Sequence, residues 1–344
     1  MSAAPGTLRW QHVHTVSRFE LESGAVLRDL RQAYYLDGAL APERDNVVVL
    51  FHALTGSADA AGSWWRELIG PGRALDTRHH AVLCANLLGS CYGSSGPSDY
   101  PPGEFPAVTP RDMARFTALL LDELGIDTPL VVAGGSLGGM VAQEWAATFP
   151  GRTQRVVVLA APAAHTAHAI ALGHIQRALL DTGPRGIELA RQVAMLSFRT
   201  DRELGLRFGR DRDDAGRWGV GAYLDHQGRK LARRFDAATY RTLLDAMDAH
   251  DVGRDRGGVE RALGGLADRI TAVGVPGDQL YSAAEVRGWA EACGAAYREL
   301  QSVHGHDAFL LEAEQVGAVL RDALDAAARE AGRESPASLA AEVA

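Results

Sequence analysis

The chain has 344 residues, 47% of them hydrophobic, enough to bury a large core as one domain carrying an insertion. Its 43 acidic and 35 basic residues leave a formal charge of −8 with no basic block, which argues against nucleic acid or an anionic membrane as a partner. Cys84, Cys91 and Cys293 lack metal-ligand spacing, no charged and apolar leader is visible, and no apolar run approaches the ~20 residues of a membrane span, so a cytoplasmic protein without a metal is expected.

Residues 1–16 show no period and read as a loose arm. Phe19–Glu22 and Val26–Leu36 then alternate apolar with polar around Ser23-Gly24, predicting an antiparallel hairpin. Asn46–Phe51 is a continuous apolar run, as expected of a strand covered on both faces, and it ends at the loop His52-Ala53-Leu54-Thr55-Gly56-Ser57. Trp64–Leu68 reads as a short helix. His80–Ala85 is a second buried strand, running into the glycine- and serine-rich stretch Asn86–Pro97. Thr109 caps a helix with Pro110 at its first position; the apolar stripe Met113, Phe116, Leu120, Leu121, Leu124 repeats at helical spacing, and Gly125 ends it.

Leu130–Gln143 (LVVAGGSLGGMVAQ) holds a strand, a sharp turn and a helix. Gly134 and Gly138 flank Ser136 in the pattern G-x-S-x-G, where side chains would clash with the incoming strand or the outgoing helix. Such a turn presents the serine hydroxyl as a nucleophile and sets backbone N–H groups beside it. Five residues with three fixed recur by chance, however, and a glycine-rich turn is common between strand and helix. The spacing does not fit a phosphate loop, and no Lys-Ser/Thr pair follows.

Arg155–Ala160 is another buried strand. From 162 to 252 the composition turns helical and rich in Ala, Leu and Arg, predicting an inserted cap between the core segments 17–161 and 253–325. Strand character returns at Arg269–Val275 and leads to Pro276-Gly277-Asp278. A helix over Ala283–Cys293, a strand over Ala296–Leu300, the segment Val303-His304-Gly305-His306-Asp307 and a helix from Glu312 complete the pattern. Residues 326–344 are Ala/Glu-rich and read as a frayed helix or flexible tail.

Strands alternating with helices imply a mostly parallel sheet flanked by helices, and the order Ser136, Asp278, His306, each just after a strand, is that of an α/β-hydrolase triad. Taken alone, Asp278 would be a turn or cap residue, and His304 competes with His306 two positions away.

Four separated motifs, His52–Gly56, Asn86–Pro97, Gly134–Met140 and His304–Leu310, together resemble the homoserine O-acetyltransferase family over about residues 20–325. Shorter matches lie at Arg207–Arg210, His226–Gly228, Arg234–Ala237 and Met247–Val252. The resemblance implies an α/β-hydrolase fold with a helical cap, Ser136 as the acylated nucleophile, His306 as base, Asp278 as its orienter, and the N–H groups of Leu54 and Leu137 as oxyanion hole. It further implies Arg207 for the acceptor carboxylate, with Arg210 as rival, Asp307 for the acceptor ammonium, acetyl-CoA as co-substrate with no bound cofactor, and a homodimer. Two departures face the site: a short loop at Ser98–Val108, and Tyr281-Ser282 where the family has a proline-containing turn. They leave open acetyl or succinyl as donor group and homoserine or serine as acceptor; the competing function is simple ester hydrolysis, which shares the steps up to the acyl-enzyme.

Overall fold

The computed structural model describes residues 11–332. Eight strands form one sheet: β1 (His12–Glu20), β2 (Val26–Asp37), β3 (Val47–Phe51), β4 (Ala81–Ala85), β5 (Val131–Gly135), β6 (Arg155–Leu159), β7 (Ile270–Gly274) and β8 (Ala296–Glu299). Their order is β1-β2-β4-β3-β5-β6-β7-β8, with β1/β2 and β2/β4 antiparallel and the remaining pairs parallel.

The short apolar runs form central strands because both faces are covered. On β3, Val47, Val49 and Phe51 enter one core with Phe116, Met140, Trp145 and Trp289, while Val48 and Leu50 enter the other with Trp65, Val316 and Leu320. Alternate side chains of one strand thus fill two layers, as the period of two requires. The first layer is built from α1 (Pro110–Glu123) and α2 (Leu137–Thr148). The Thr109 hydroxyl accepts from the Asp112 N–H at 3.1 Å, making the expected N-cap of α1.

Between β6 and β7 run six α-helices, the first five of them in the insertion: α3 (Ala167–Leu180), α4 (Gly186–Phe198), α5 (Asp201–Phe208), α6 (Gly219–Ala232) and α7 (Ala237–Asp248). The two stems of this insertion are tied together, His165 N–H to the His250 carbonyl and Val252 N–H to the Ala163 carbonyl, each at 2.9 Å. Then follow α8 (Val259–Leu263), α9 (Ala283–Cys293), α10 (Ala308–Leu311) and α11 (Ala313–Glu330).

Three expectations are corrected. The first strand begins at His12, so the stretch expected as a loose arm supplies the sheet edge from that residue on, and 1–10 lie outside the described residues. Trp64–Leu68 forms turns rather than a helix: Ser57 and Phe309 carbonyls hold the indole N–H groups of Trp64 and Trp65 at 2.9 Å, so tertiary anchors fix the segment. Helix α11 continues through Glu330, with Leu324 and Ala327 buried against the sheet, where fraying was expected from 326; residues 333–344 lie outside the described set.

Candidate active site

Ser136 stands between β5 and α2 with φ 55° and ψ −124°, a backbone conformation that costs a non-glycine residue free energy. The close packing around it explains the glycines: a Cβ on Gly134 would strike the Gly138 carbonyl, and one on Gly138 would strike the carbonyl of Phe51. Only bare backbone lets strand and helix approach this closely. The serine is 4% exposed. It does not stand in the open, as the turn alone suggested, but faces a narrow cavity walled by Leu54, Leu280 and residues of the insertion, among them His165, Gln176, Phe198 and Met247.

Three loops at the carboxyl ends of strands converge here. His306 Nε2 is 2.9 Å from Ser136 Oγ, and its Nδ1 is 2.8 Å from Asp278 Oδ2. The other oxygen of Asp278 accepts the backbone N–H groups of Leu280 at 2.8 Å and Tyr281 at 3.0 Å, so the carboxylate cannot swing away. Burial disfavours a protonated His306, but the charge of Asp278, its hydrogen bond and the charge of Asp307 outweigh that and hold the imidazole pKa above its ordinary value. The rings of Phe198, Tyr281 and Phe309 enclose the imidazole at centroid distances of 5.4, 5.3 and 5.7 Å. His304, the competing histidine, instead turns toward Glu203, with Nδ1 3.3 Å from its Oε1.

The two expected oxyanion donors flank the serine. Leu137 is the first residue of α2, where a helix leaves its N–H groups without internal acceptors. Leu54 lines the serine cavity, and its peptide is fixed by His52. That histidine is fully buried; burial pulls its pKa down to about 4, so it is neutral, with Nδ1–H donating to the Ala53 carbonyl at 2.8 Å and Nε2 accepting the Leu87 N–H at 3.0 Å. A trans peptide points its C=O and N–H in opposite directions, so anchoring the Ala53 carbonyl also aims the Leu54 N–H.

The residues expected for an acceptor divide. Asp307 adjoins the histidine and is bridged by Arg199 at 2.9 Å; Arg199 also binds both oxygens of Glu203, at 3.0 and 3.1 Å. Arg207 is half exposed, stacked over the rings of Tyr223 and Phe208 at 4.7 and 5.0 Å, and Arg210 lies against Trp218 on the outer surface. The guanidinium the sequence reading passed over is that of Arg191 on α4. It lies 5.3 Å above the ring of Phe198, whose centroid is 5.4 Å from that of His306, and within the fields of Asp307, Tyr240 and Tyr223. Its side chain is only partly exposed, desolvation by the surrounding protein lowers its pKa despite Tyr240 and Asp307, and among the described residues it has no hydrogen-bond or ion-pair partner. A partly desolvated guanidinium whose donors no protein group meets suits an anionic ligand. The signal available in the sequence was its spacing: Ile187, Ala190, Ala194 and Met195 of the same helix are buried, so Arg191 interrupts an inward face.

A strained serine at a strand-to-helix corner, a histidine and an aspartate on later loops, and a mostly parallel sheet beneath them define an alpha/beta hydrolase fold, and the model of that fold family matches residues 46–200. Homoserine O-acetyltransferase of Thermus thermophilus is 44% identical over 339 residues, 88% of either chain. The crystal structure of homoserine O-acetyltransferase from Staphylococcus aureus is 30% identical, with a TM-score of 0.79 over 91% of this chain and 94% of that one. An acetylester hydrolase from Corynebacterium glutamicum shares the fold at a TM-score of 0.79 and 22% identity, covering 92% and 96% of the two chains. The chain belongs to the homoserine O-acetyltransferase family, transferases built on the alpha/beta hydrolase fold, as the four motifs implied.

Proposed function

We propose that this chain moves an acetyl group from acetyl-CoA to the side-chain hydroxyl of L-homoserine through an acetyl-Ser136 intermediate. The observation that carries the reading is the unbroken line of hydrogen bonds from Ser136 through His306 to Asp278 in an enclosed cavity, in a chain of this family. His306 Nε2 takes the Ser136 proton as Oγ attacks the thioester carbonyl, the Leu54 and Leu137 N–H groups receive the negative oxygen, and collapse releases CoA with that proton. The acceptor hydroxyl then gives its proton to His306, attacks the acetyl carbon and frees Ser136 Oγ, which takes the proton back.

Transfer must outrun hydrolysis, and orientation supplies the advantage, since well-placed groups reach effective molarities of ~10⁵ M or more. Asp307 suits the acceptor ammonium. For its carboxylate we favour Arg191, partly exposed, close to the ring that packs on His306 and without a protein partner, over Arg207, half exposed. A second reading, ester hydrolysis, is favoured by the likeness in fold to the acetylester hydrolase and shares every step up to the acyl-enzyme.

The insertion also supports a homodimer, because five of the eight large exposed apolar residues among those described, Ile170, Ile175, Leu196, Leu206 and Trp218, lie on it. No helix among the described residues is long and apolar enough to cross a membrane, and Cys84, Cys91 and Cys293 form no disulfide with one another, which suits the cytoplasm.

The deciding experiment offers acetyl- and succinyl-CoA with homoserine, serine or water alone and identifies products by mass. O-Acetyl-homoserine formed far faster than free acetate supports the reading. Equal acetate release with and without homoserine would make the chain a hydrolase.

A further inference from the structure

Tyr281 is where a chain of polar groups from the insertion meets the catalytic histidine. On one side its hydroxyl is 2.9 Å from His165 Nε2, His165 Nδ1 is 2.9 Å from Asp248 Oδ1, and the other oxygen of Asp248 is 2.6 Å from an Arg177 nitrogen. On the other side its ring meets that of His306 in a T-shaped contact at 5.3 Å, and its backbone N–H donates to Asp278 at 3.0 Å. Nothing in the reaction as described uses these groups.

The protons in this chain are determined. Burial raises the Tyr281 pKa well above the usual phenol value, with the charge of Asp278 adding to it, so the phenol keeps its proton. Burial also lowers the His165 pKa, outweighing Asp248, so the imidazole is neutral. His165 therefore donates from Nδ1 to Asp248, its Nε2 lone pair accepts the Tyr281 O–H, and Arg177 balances the Asp248 charge. Every link has its partner, Tyr281 and His165 are buried while Asp248 and Arg177 are partly exposed, and at the buried end such a chain is rigid.

His165 sits on the stem of the insertion that is hydrogen-bonded to the returning stem at His250. Arg177 and Asp248 belong to α3 and α7. The placement of those helices is thus transmitted to one aromatic ring packed on His306. The ring does not touch the reacting atoms, but it limits where the imidazole can lie while it takes a proton and returns it in each half-reaction.

We propose that Tyr281 is a positioning residue for His306, held in register by the insertion through His165, Asp248 and Arg177. The proposal rests on the acyl-transfer reading for its kinetic test, and a spectroscopic arm needs no substrate. Tyr281→Phe keeps the ring and removes only the O–H. It should lower kcat on the order of tenfold, short of the ~10²-fold that a 1 Å misplacement of reacting groups can cost, with KM for both substrates changed less than about twofold. The downfield proton resonance of His306 Nδ1–H should shift or broaden in the same variant.

His165→Ala should lower kcat similarly, and His165→Gln, which can donate to Asp248 and accept from Tyr281, should restore most of the loss. Because the residues act as one chain, the Tyr281→Phe/His165→Ala double variant should be no worse than the poorer single one. Multiplying losses, a Gln variant as poor as Ala, or an unshifted resonance with unchanged kcat would each overturn the proposal. A wild type that binds acetyl-CoA but transfers nothing, with the resonance still responding to Tyr281→Phe, would overturn the acyl-transfer reading instead.

Discussion

His306 and Ser136, 170 positions apart in the chain, lie 2.9 Å apart through Nε2 and Oγ, and Asp307 contributes to the electrostatics of that pair. The imidazole must be neutral to accept the serine proton, so the rate of acylation should fall as pH drops through a pKa held above the ordinary histidine value. Burial opposes the raised value and the Asp278 and Asp307 charges sustain it, so removing one charge must lower it. Asp307→Asn is expected to move the acid limb of the pH profile to lower pH. CoA release without acceptor is the rate to follow, because Asp307 also serves the proposed acceptor site. A limb that stays in place or moves upward would count against that electrostatic role.

The two neighbouring histidines offer a second check. Gly305–Asp307 forms a single tight turn, which sends the His304 ring to Glu203 and the His306 ring to Ser136. His306→Ala should cost at least ~10²-fold in turnover, the lower range for a general base. His304→Ala, losing one partly exposed contact to Glu203, should stay within severalfold of wild type. The reverse ranking would show that the serine is activated by a different group.

Much of this site was legible because buried parallel strands write themselves as apolar runs, and Ser136 and Asp278 each follow one, whereas His306 follows the half-exposed edge strand β8 and was marked by its own motif. What stayed hidden has physical causes. Strand β1 interleaves His12, His14 and Thr15 with a Val13 that is 53% exposed, so no apolar face marks it. The turns at Trp64–Leu68 depend on Phe309, 244 positions away from Trp65. Arg191 looked like any arginine of a helical stretch until tertiary packing set it over Phe198 without a protein partner, and Tyr281 registered only as a departure from a family pattern.

The glycines of the serine turn make a stability prediction. A methyl group at Gly138 would meet the Phe51 carbonyl, which belongs to a central strand and cannot yield, whereas Gly24 in the first hairpin has nothing within 4 Å of a built Cβ. Gly138→Ala should cost about 1–3 kcal/mol, the usual range for overpacking a core, and should abolish acylation. Gly24→Ala, at φ +83°, bears only the left-handed backbone penalty of roughly 1–2 kcal/mol and should acylate like wild type. Thermal melts with a CoA-release assay separate the two, and an active Gly138→Ala would contradict the close approach at the corner.

The acceptor site can be tested by matching a deletion in the protein with one in the substrate. Arg191 is partly exposed, lies over Phe198 beside the catalytic histidine and has no partner among the described residues, while Asp307 is close enough to influence its charge, so the two form a cation and an anion suited to the ends of an amino acid. Losing one partner of a charge pair that the bound acceptor buries costs ~2–5 kcal/mol, so Arg191→Ala should lower kcat/KM for homoserine on the order of 10²-fold and leave the burst of CoA from Ser136 acylation intact. Aminopropanol, homoserine without its carboxylate, should be an equally poor acceptor for wild type and Arg191→Ala, because neither can form the missing contact. Arg207→Ala should behave as wild type within about twofold, since its guanidinium is half exposed and only 4.0 Å from Glu203 at best. If Arg207→Ala loses homoserine selectively while Arg191→Ala does not, the carboxylate binds at the outer edge of the insertion and Arg191 serves the fold.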